Sequence, residues 1–195
     1  PFQIAVTNKN GVETLYVADF ANHALKIYNA KSMKLKSTFG ELGKGASNFY
    51  YPTGVVANDN NIFVVQDANH LLQKWKESSK GGWELESSVS LNLNTVGNTR
   101  LGIDQDSVYV YYTRISDNLL YSELWLEKRN ISDFKLVNKV NILPNNVSVV
   151  ASTFSVMGDM GINDDYVYLT FTDGFNKKQW IQTTNSDWDS GNIDL

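Results

Sequence analysis

The 195-residue sequence contains no cysteine. Zinc fingers, iron–sulfur clusters, disulfide scaffolds and cysteine nucleophiles all need thiols, so these classes are excluded. Charge is also scarce: charged residues make up 19% of the chain, and the formal net charge is −4. A mild acidic balance argues against a nucleic-acid partner, because nucleic acids are usually bound by basic domains.

Long hydrophobic runs are missing as well. The sequence has no run of about 18 apolar residues, so it predicts no membrane-spanning helix and no membrane insertion. The first residue is Pro rather than Met, so the sequence is compatible with a signal peptide that has already been removed. Hydrophobic residues nevertheless reach 42% and aromatic residues 12% of the chain. This content supports a packed core and argues against a disordered protein.

A short apolar strand with an aromatic residue at its centre occurs four times. The central residues are Tyr16, Phe63, Tyr109 and Tyr168, which are 47, 46 and 59 residues apart. Each copy follows a polar turn rich in Asn and Asp, the residues that tight hairpins favour. Further short strands precede and follow each copy, so the repeating unit contains four antiparallel strands. Such a unit is typical of a β-propeller blade.

The sequence therefore predicts an all-β fold, a β-propeller of four recognisable four-stranded blades. The expected blades cover residues 1–48, 49–97, 98–150 and 151–195 of a single domain. A lone four-stranded sheet would expose two apolar faces, whereas radial stacking of blades buries both. The four blades form either a complete ring or part of a larger propeller. A β-sandwich with chance similarity between its hairpins is the alternative fold.

Two segments in the first half of the chain share a longer pattern. Residues 15–28 read LYVADFANHALKIY and residues 62–75 read IFVVQDANHLLQKW, with an F-G-E-L-G link at 39–43. This pattern resembles the NHL repeat, a family of β-propeller blades, and the resemblance implies that fold for the first two units. In the family a basic residue usually follows Asn-His, whereas Ala24 or Leu71 stands there in this chain. The Asn-His turn is absent from the third and fourth units.

The two histidines occupy equivalent positions in successive blades, each directly after an asparagine. A residue that repeats with the blade is more economically explained by the turn of the blade than by metal binding or acid–base chemistry. We therefore interpret one set of residues as structural turn residues, in which Asp accepts backbone N–H groups and Asn-His closes the loop. The set consists of Asp19, Asn22, His23, Asp67, Asn69 and His70.

Aspartates provide the candidates for catalysis. A glycosidase needs two carboxylates about 5 to 10 Å apart. Asp104 and Asp159 are the candidate pair, since Asp159 directly precedes a strand expected near the propeller axis. Asp104 lies in a predicted turn, where Asp is expected for structural reasons alone. Clustered Asp residues are also compatible with calcium, but no ordered ligand spacing appears, so we assign no catalytic residue, metal or cofactor.

Aromatic side chains provide the candidates for binding. We expect most of them to pack between blades and the remainder to form an exposed platform for a protein or a sugar. Tyr50, Tyr51, Tyr111 and Tyr112 lie in aromatic-rich runs and are the candidate binding residues.

The favoured function is a non-catalytic binding or assembly module that uses one propeller face to recognise a protein or a glycan. Asn130 and Asn146 begin N-glycosylation sequons, which makes them candidate glycosylation sites. They are compatible with the extracellular or cell-surface location that we expect, while a cytoplasmic location stays open. One alternative is a glycan-active propeller hydrolase or lyase that uses axial Asp residues. Another is self-assembly as a structural subunit of a surface layer or filament.

Overall fold

A computed structural model describes residues 2–45, 47–91, 99–115, 121–142, 149–150, 156–163, 166–173 and 178–185. The described residues form β-strands and one short 3-10 turn, arranged as four antiparallel sheets. The predicted all-β class is therefore confirmed, and each sheet corresponds to one predicted blade. The sheets fall into two compact units of the chain, residues 1–92 and 93–195.

The first unit contains two four-stranded sheets whose strands follow one another in chain order. The first sheet consists of β1 (Ile4–Lys9), β2 (Val12–Asp19), β3 (Ala24–Asn29) and β4 (Leu35–Phe39), and the 3-10 turn (Phe20–Asn22) joins β2 to β3. The second sheet consists of β5 (Pro52–Ala57), β6 (Asn61–Gln66), β7 (Leu71–Glu77) and β8 (Trp83–Ser90).

The second unit contains the other two sheets. The third sheet consists of β9 (Arg100–Ile103), β10 (Ser107–Ile115), β11 (Tyr121–Asn130) and β12 (Leu136–Asn141), with β13 (Val149–Val150) paired to β11. The fourth sheet consists of β14 (Val156–Ile162), β15 (Tyr166–Asp173) and β16 (Lys178–Asn185). The sequence also predicts a fourth strand for this sheet, beginning at Trp188, which lies outside the described residues.

The core of the first unit lies between its two sheets. Side chains alternate between the faces of a strand, so Tyr16 points to one face while Leu15 and Val17 point to the other. Tyr16 and its neighbour Ile27 on β3 belong to one buried cluster with Val64 of the second sheet. The central aromatic of the first repeat thus packs toward the following sheet.

The second unit repeats this arrangement. Tyr109, the central aromatic of the third repeat, is buried in a cluster that also contains Val167 and Leu169 of the fourth sheet. Those two residues flank Tyr168, the central aromatic of the fourth repeat. In both units the aromatic of one sheet therefore packs against the residues that flank the aromatic of the next sheet.

Close approach of backbone and ring fixes the link between the first two sheets. Gly40 directly follows β4 and has a φ of +95°, a left-handed conformation that side chains other than glycine disfavour. A Cβ at this position would overlap the ring of Phe49, which is completely buried in the core of the unit. Glycine is therefore required at position 40 of the F-G-E-L-G link, both because of the backbone conformation and because a side chain has no room there.

We expect the substitution Gly40→Ala to lower the melting temperature substantially more than Gly81→Ala. Gly81 is the matched control, because its φ is +85° but a Cβ there would meet no atom within 4 Å. Both alanines carry the left-handed strain of about 1–2 kcal/mol, and only Gly40→Ala adds overpacking of about 1–3 kcal/mol. Thermal unfolding followed by circular dichroism measures the difference. Equal losses for the two variants would contradict the packing described for Gly40.

Candidate functional site

A row of five rings lies at one end of the first unit, and we call it the aromatic strip. It consists of Phe2, Phe20, Tyr51, His23 and Tyr50. The ring centroids are 4.6 Å apart for Phe2 and Phe20, and 4.6 Å for Phe20 and Tyr51. They are 4.5 Å apart for Tyr51 and His23, and 5.0 Å for Tyr51 and Tyr50. The rings of Phe2, Phe20 and Tyr51 therefore follow one another, and the Tyr51 ring lies next to both His23 and Tyr50.

Three separate segments of the chain supply these rings. Phe2 lies two residues before the start of β1, Phe20 and His23 belong to the connection from β2 to β3, and Tyr50 and Tyr51 directly precede β5. The backbone N–H of Phe2 donates to the carbonyl of Ala18, 3.2 Å away, which holds the first segment on the end of β2. The complete strip therefore needs segments of both the first and the second sheet.

Backbone geometry holds the centre of the strip in place. His23 and Tyr51 both have left-handed conformations, with φ of 53° and 57°. The backbone N–H of Tyr51 donates to Nδ1 of His23 at 3.2 Å, and the N–H of Tyr50 donates to Oε1 of Gln66 at 2.6 Å. Because Gln66 is completely buried, the tyrosine segment is anchored to the second sheet.

A carboxylate organises the turn that carries His23. Oδ2 of Asp19 accepts a hydrogen bond from the Asn22 side-chain amide at 2.8 Å and lies 2.5 Å from Nζ of Lys26. Burial by itself raises the pKa of Asp19, but the hydrogen bonds from Lys26 and Asn22 outweigh it and hold this pKa below its usual value. The turn therefore carries an ionised carboxylate at neutral pH.

The equivalent turn of the second sheet makes different contacts. Oδ1 of Asp67 accepts a hydrogen bond from the Thr53 hydroxyl at 3.0 Å. His70 has the same φ as His23, 53°, and its carbonyl accepts the N–H of Leu91 at 2.6 Å. Within the described part of the chain, the buried Nδ1 of His70 and the buried amide of Asn69 have no hydrogen-bond partner. Only His23 of the two histidines therefore links its turn to the tyrosine segment.

The edge of the strip combines apolar and charged groups. Nζ of Lys44 lies 5.4 Å from the centroid of the Tyr50 ring, within the range of a cation–π interaction. Leu42, two residues earlier, is 62% exposed, and Phe2 at the far end of the strip is 37% exposed. The strip thus presents aromatic rings, which are enriched at protein-binding sites, with a cation beside them.

The structure corrects the expectation for Tyr111 and Tyr112, which lie side by side on β10 and are both 0% exposed. Tyr111 packs in the core of the second unit, and its hydroxyl donates to the carbonyl of Thr170 at 3.3 Å. Tyr112 points to the opposite face of β10. Because both faces of this strand are covered, neither tyrosine belongs to an exposed platform, and the prediction of these two as binding residues is wrong.

A buried ionic network that the sequence analysis missed surrounds Glu127 in the second unit. Glu127 is 3% exposed, and its Oε2 lies 2.7 Å from Nη2 of Arg129. Its Oε1 accepts a hydrogen bond from the Tyr112 hydroxyl at 2.8 Å and lies 3.1 Å from Nζ of Lys139. The signal in the sequence is the i, i+2 spacing of Glu127 and Arg129, which places both side chains on one face of β11.

The network determines the charge of its members. Burial by itself raises the pKa of Glu127, but the Arg129 charge, the Tyr112 hydroxyl and the Lys139 charge together hold it below its usual value. Burial and the neighbouring Glu127 carboxylate raise the pKa of Tyr112. An ionised Glu127 and a protonated Tyr112 therefore coexist across the physiological pH range. Arg129, Lys139 and Tyr112 all pair with Glu127, which is the arrangement of a structural network.

The candidate catalytic aspartates occupy different surroundings. Oδ1 of Asp104 accepts the backbone N–H groups of Asp106 at 2.9 Å and Ser107 at 2.6 Å, and its Oδ2 accepts the Tyr109 hydroxyl at 2.6 Å. Asp159 is exposed, and its Oδ1 accepts the N–H of Met160 at 2.9 Å. Among the described contacts, no hydrogen bond joins the two aspartates, and Asp104 serves as the cap of its turn.

The remaining sequence candidates concern modification, metal and membrane. Asn130 is exposed, and its Oδ1 accepts the hydroxyl and the N–H of Ser132, both at 2.8 Å. Asn146 lies outside the described residues. Over the described ranges, no three His, Asp or Glu side chains gather to hold a metal ion, calcium included. The same ranges contain no helix able to cross a membrane.

No protein-family model matches the sequence, and no curated protein matches it. Among solved structures, the chain is similar to the GH93 α-L-arabinofuranosidase of Fusarium graminearum in complex with arabinobiose. The sequence identity is 15%, the match covers 98% of this chain and 64% of that chain, and the TM-score is 0.55. It is similar to a chain of a nidogen/laminin complex, with 9% identity over 94% of this chain and 80% of that chain and a TM-score of 0.50. A chain of an S. cerevisiae complex of dbp5 with nup159, gle1, IP6 and ADP matches with 11% identity over 93% of this chain and 48% of that chain, with a TM-score of 0.48.

The first two of these structures show the fold. Both are β-propellers, and together with the four antiparallel sheets they establish that this chain has a β-propeller fold, as the repeat predicts. The chain spans 48% of the S. cerevisiae chain and 64% of the arabinofuranosidase. At identities of 15% and 9%, the similarity is one of fold alone, because one fold can carry many different sites.

We expect Glu127→Gln to destabilise the protein by about 3–5 kcal/mol at pH 7, because Arg129 would lose the partner of its buried charge. The pKa of the Glu127 carboxyl is lower in the folded state than in the unfolded state, where it is about 4.3. The Glu127 charge therefore stabilises the fold fully above about pH 4.3, and this stabilisation is lost as the pH falls from there through the folded-state pKa. The gap in unfolding free energy between wild type and variant should therefore narrow from pH 7 to pH 3.

Urea unfolding at both pH values measures this gap. Glu13→Gln is the matched control, since Glu13 is exposed and its substitution should change stability by less than about 0.5 kcal/mol. A gap that is the same at pH 3 and pH 7 would show that the Glu127 charge does not stabilise the fold.

Proposed function

We propose that this chain is a non-catalytic binding module whose recognition surface is the aromatic strip. The observation that carries the proposal is the unbroken row of rings from Phe2 to Tyr50, held by left-handed backbone at His23 and Tyr51. Aromatic residues dominate the binding energy of protein interfaces. A surface that is already ordered avoids the cost of ordering side chains when the partner binds. The strip combines both properties.

A segment of a partner protein is the occupant that the strip fits best. The rings of Phe2 and Phe20 are inclined at 38° to each other, and those of His23 and Tyr51 at 63°. A row of tilted rings provides grooves and edges rather than one flat platform for stacking a sugar. Exposed Leu42 bridges to Phe49, the residue directly before Tyr50, and Lys44 supplies a charge beside the Tyr50 ring. A peptide with apolar side chains and an acidic residue would complement this surface.

The finer assignments that accompany this function are also proposals. The left-handed φ of 53° that His23 and His70 share in equivalent turns supports an NHL-type assignment of the first two blades. The exposed sequon at Asn130 supports an extracellular or cell-surface location. Since the Asp104 carboxylate is already engaged by its own turn and by Tyr109, the described contacts favour binding over hydrolysis.

Selection from a random peptide library displayed on phage tests the proposal. We expect the immobilised chain to enrich peptides with apolar and acidic residues. The substitutions Phe2→Ser and Tyr50→Ser should each raise the dissociation constants of the selected peptides at least tenfold, because each removes a ring from the contact surface. Fluorescence anisotropy with labelled peptides measures the dissociation constants. A glycan array incubated with the same proteins provides the comparison for a carbohydrate partner.

Leu136→Ser is the matched control, because Leu136 is 49% exposed on β12, outside the strip. This variant should bind the selected peptides as tightly as the wild type. Circular dichroism and the melting temperature show whether each variant is folded. Selected peptides that bind the two strip variants as tightly as the wild type would overturn the proposed surface. If no peptide is selected, and the protein instead binds the glycan array in a way that the strip substitutions abolish, the partner is a glycan rather than a protein.

A further inference from the structure

A cleft separate from the aromatic strip lies at the other end of the first unit. The strip is formed at the start of β1, whereas this cleft is lined by residues at the end of β1 and by the turns of the second sheet. Its volume is about 430 Å³, within the range of about 300–1,000 Å³ that is usual for small-molecule sites. The six residues used below are Lys9, Tyr16, Lys36, Asp59, Glu77 and Trp83.

An aromatic wall forms one side of the cleft. The Trp83 and Tyr16 rings meet edge to face, with centroids 6.3 Å apart and an angle of 80°. Trp83 also stacks against Phe39 at 5.8 Å, so the indole is held between the core of the unit and the cleft. Burial raises the pKa of the Tyr16 hydroxyl, which therefore stays protonated and able to donate a hydrogen bond.

Charged groups of both signs surround this wall. Lys9 lies 3.9 Å from Glu77 and donates to the Asn60 side-chain oxygen at 3.3 Å. Lys36 donates to the Thr14 hydroxyl at 3.4 Å. Two lysines and two acidic residues line the cleft, so their formal charges cancel. A strongly anionic ligand would meet the carboxylates and a cationic ligand would meet the ammonium groups, which leaves a neutral ligand with many hydroxyl groups as the best match.

We propose that this cleft binds a neutral saccharide residue, with its apolar ring face against Trp83 and its hydroxyl groups bonded to the surrounding charged side chains. Carboxylates accept and ammonium groups donate, so a hydroxyl group finds a partner for either of its roles. An aromatic wall with polar groups converging on it is the general composition of a specific small-molecule pocket. The cleft shares no residue with the aromatic strip, so this inference does not depend on the proposed function.

Saturation-transfer NMR with four defined probes tests the inference. The probes are the methyl glycosides of glucose, galactose, mannose and N-acetylglucosamine. We expect at least one of them to bind with a dissociation constant of about 10 mM or tighter. Short oligosaccharides of the bound sugar then distinguish the two sources of the ligand. Affinity that rises at least tenfold with chain length indicates a glycan, and unchanged affinity indicates a free sugar or a terminal residue.

Substitutions assign the binding to the cleft. Trp83→Ala should raise the dissociation constant of the probe at least tenfold. Trp83→Phe should retain most of the affinity because it keeps an aromatic wall. Since Trp83 also packs against Phe39, Asp59→Asn provides a second variant that removes one exposed charge and leaves the core intact. It should weaken the probe about tenfold, as expected for the loss of a hydrogen bond to a charged group.

Asp106→Asn is the matched control, an exposed turn aspartate of the second unit that should leave probe binding unchanged. The inference is overturned if none of the four glycosides binds at concentrations up to about 50 mM. It is also overturned if folded Trp83→Ala and Asp59→Asn proteins both bind the probe as the wild type does. Peptide binding at the strip should persist in the Asp59→Asn variant. The experiments therefore distinguish a wrong assignment of saccharide binding to the cleft from a wrong assignment of peptide binding to the strip.

Discussion

Each blade is a sheet with two faces, and the need to bury apolar side chains on both faces is the constraint on which the structure depends. Because strand residues alternate between faces, the aromatic-centred strand serves two purposes at once. Its central ring packs toward the following sheet, as Tyr16 and Tyr109 do, while its flanking aliphatic residues pack toward the preceding sheet, as Val64 and Val167 do. One three-residue motif, repeated along the chain, thus defines both sides of the blade-to-blade core.

Both candidate sites follow from this packing. Two twisted sheets meet over their middles and diverge at their ends, so side chains at the ends of β1 are only partly covered. At one end, segments from both sheets bring Phe20 and Tyr51 together in the aromatic strip. At the other end, the divergence leaves the cleft beside Trp83. The core reaches one of these surfaces directly, because its buried residue Tyr16 also lines the cleft.

The sequence predicts the blades well because a period-2 pattern and turn residues are local signals. Sites assembled from distant segments are harder to predict. Tyr50 and Tyr51 stand out as an aromatic pair, but nothing local indicates that Phe2 and Phe20 will join them. The assignment of Tyr111 fails because exposure depends on what covers the second face of a strand. The network of Glu127 is missed for the same reason, since charged residues on a strand normally indicate a solvated face.

The central claim is that the aromatic strip is the recognition surface of this β-propeller. The most direct measurement is an amide NMR titration of the ¹⁵N-labelled protein with a peptide selected by phage display. We expect the largest shift changes on Phe2, Phe20, His23 and Tyr51, whose amides lie in the three segments of the strip. Saturating shift changes confined to the second unit, with these amides unmoved, would contradict it.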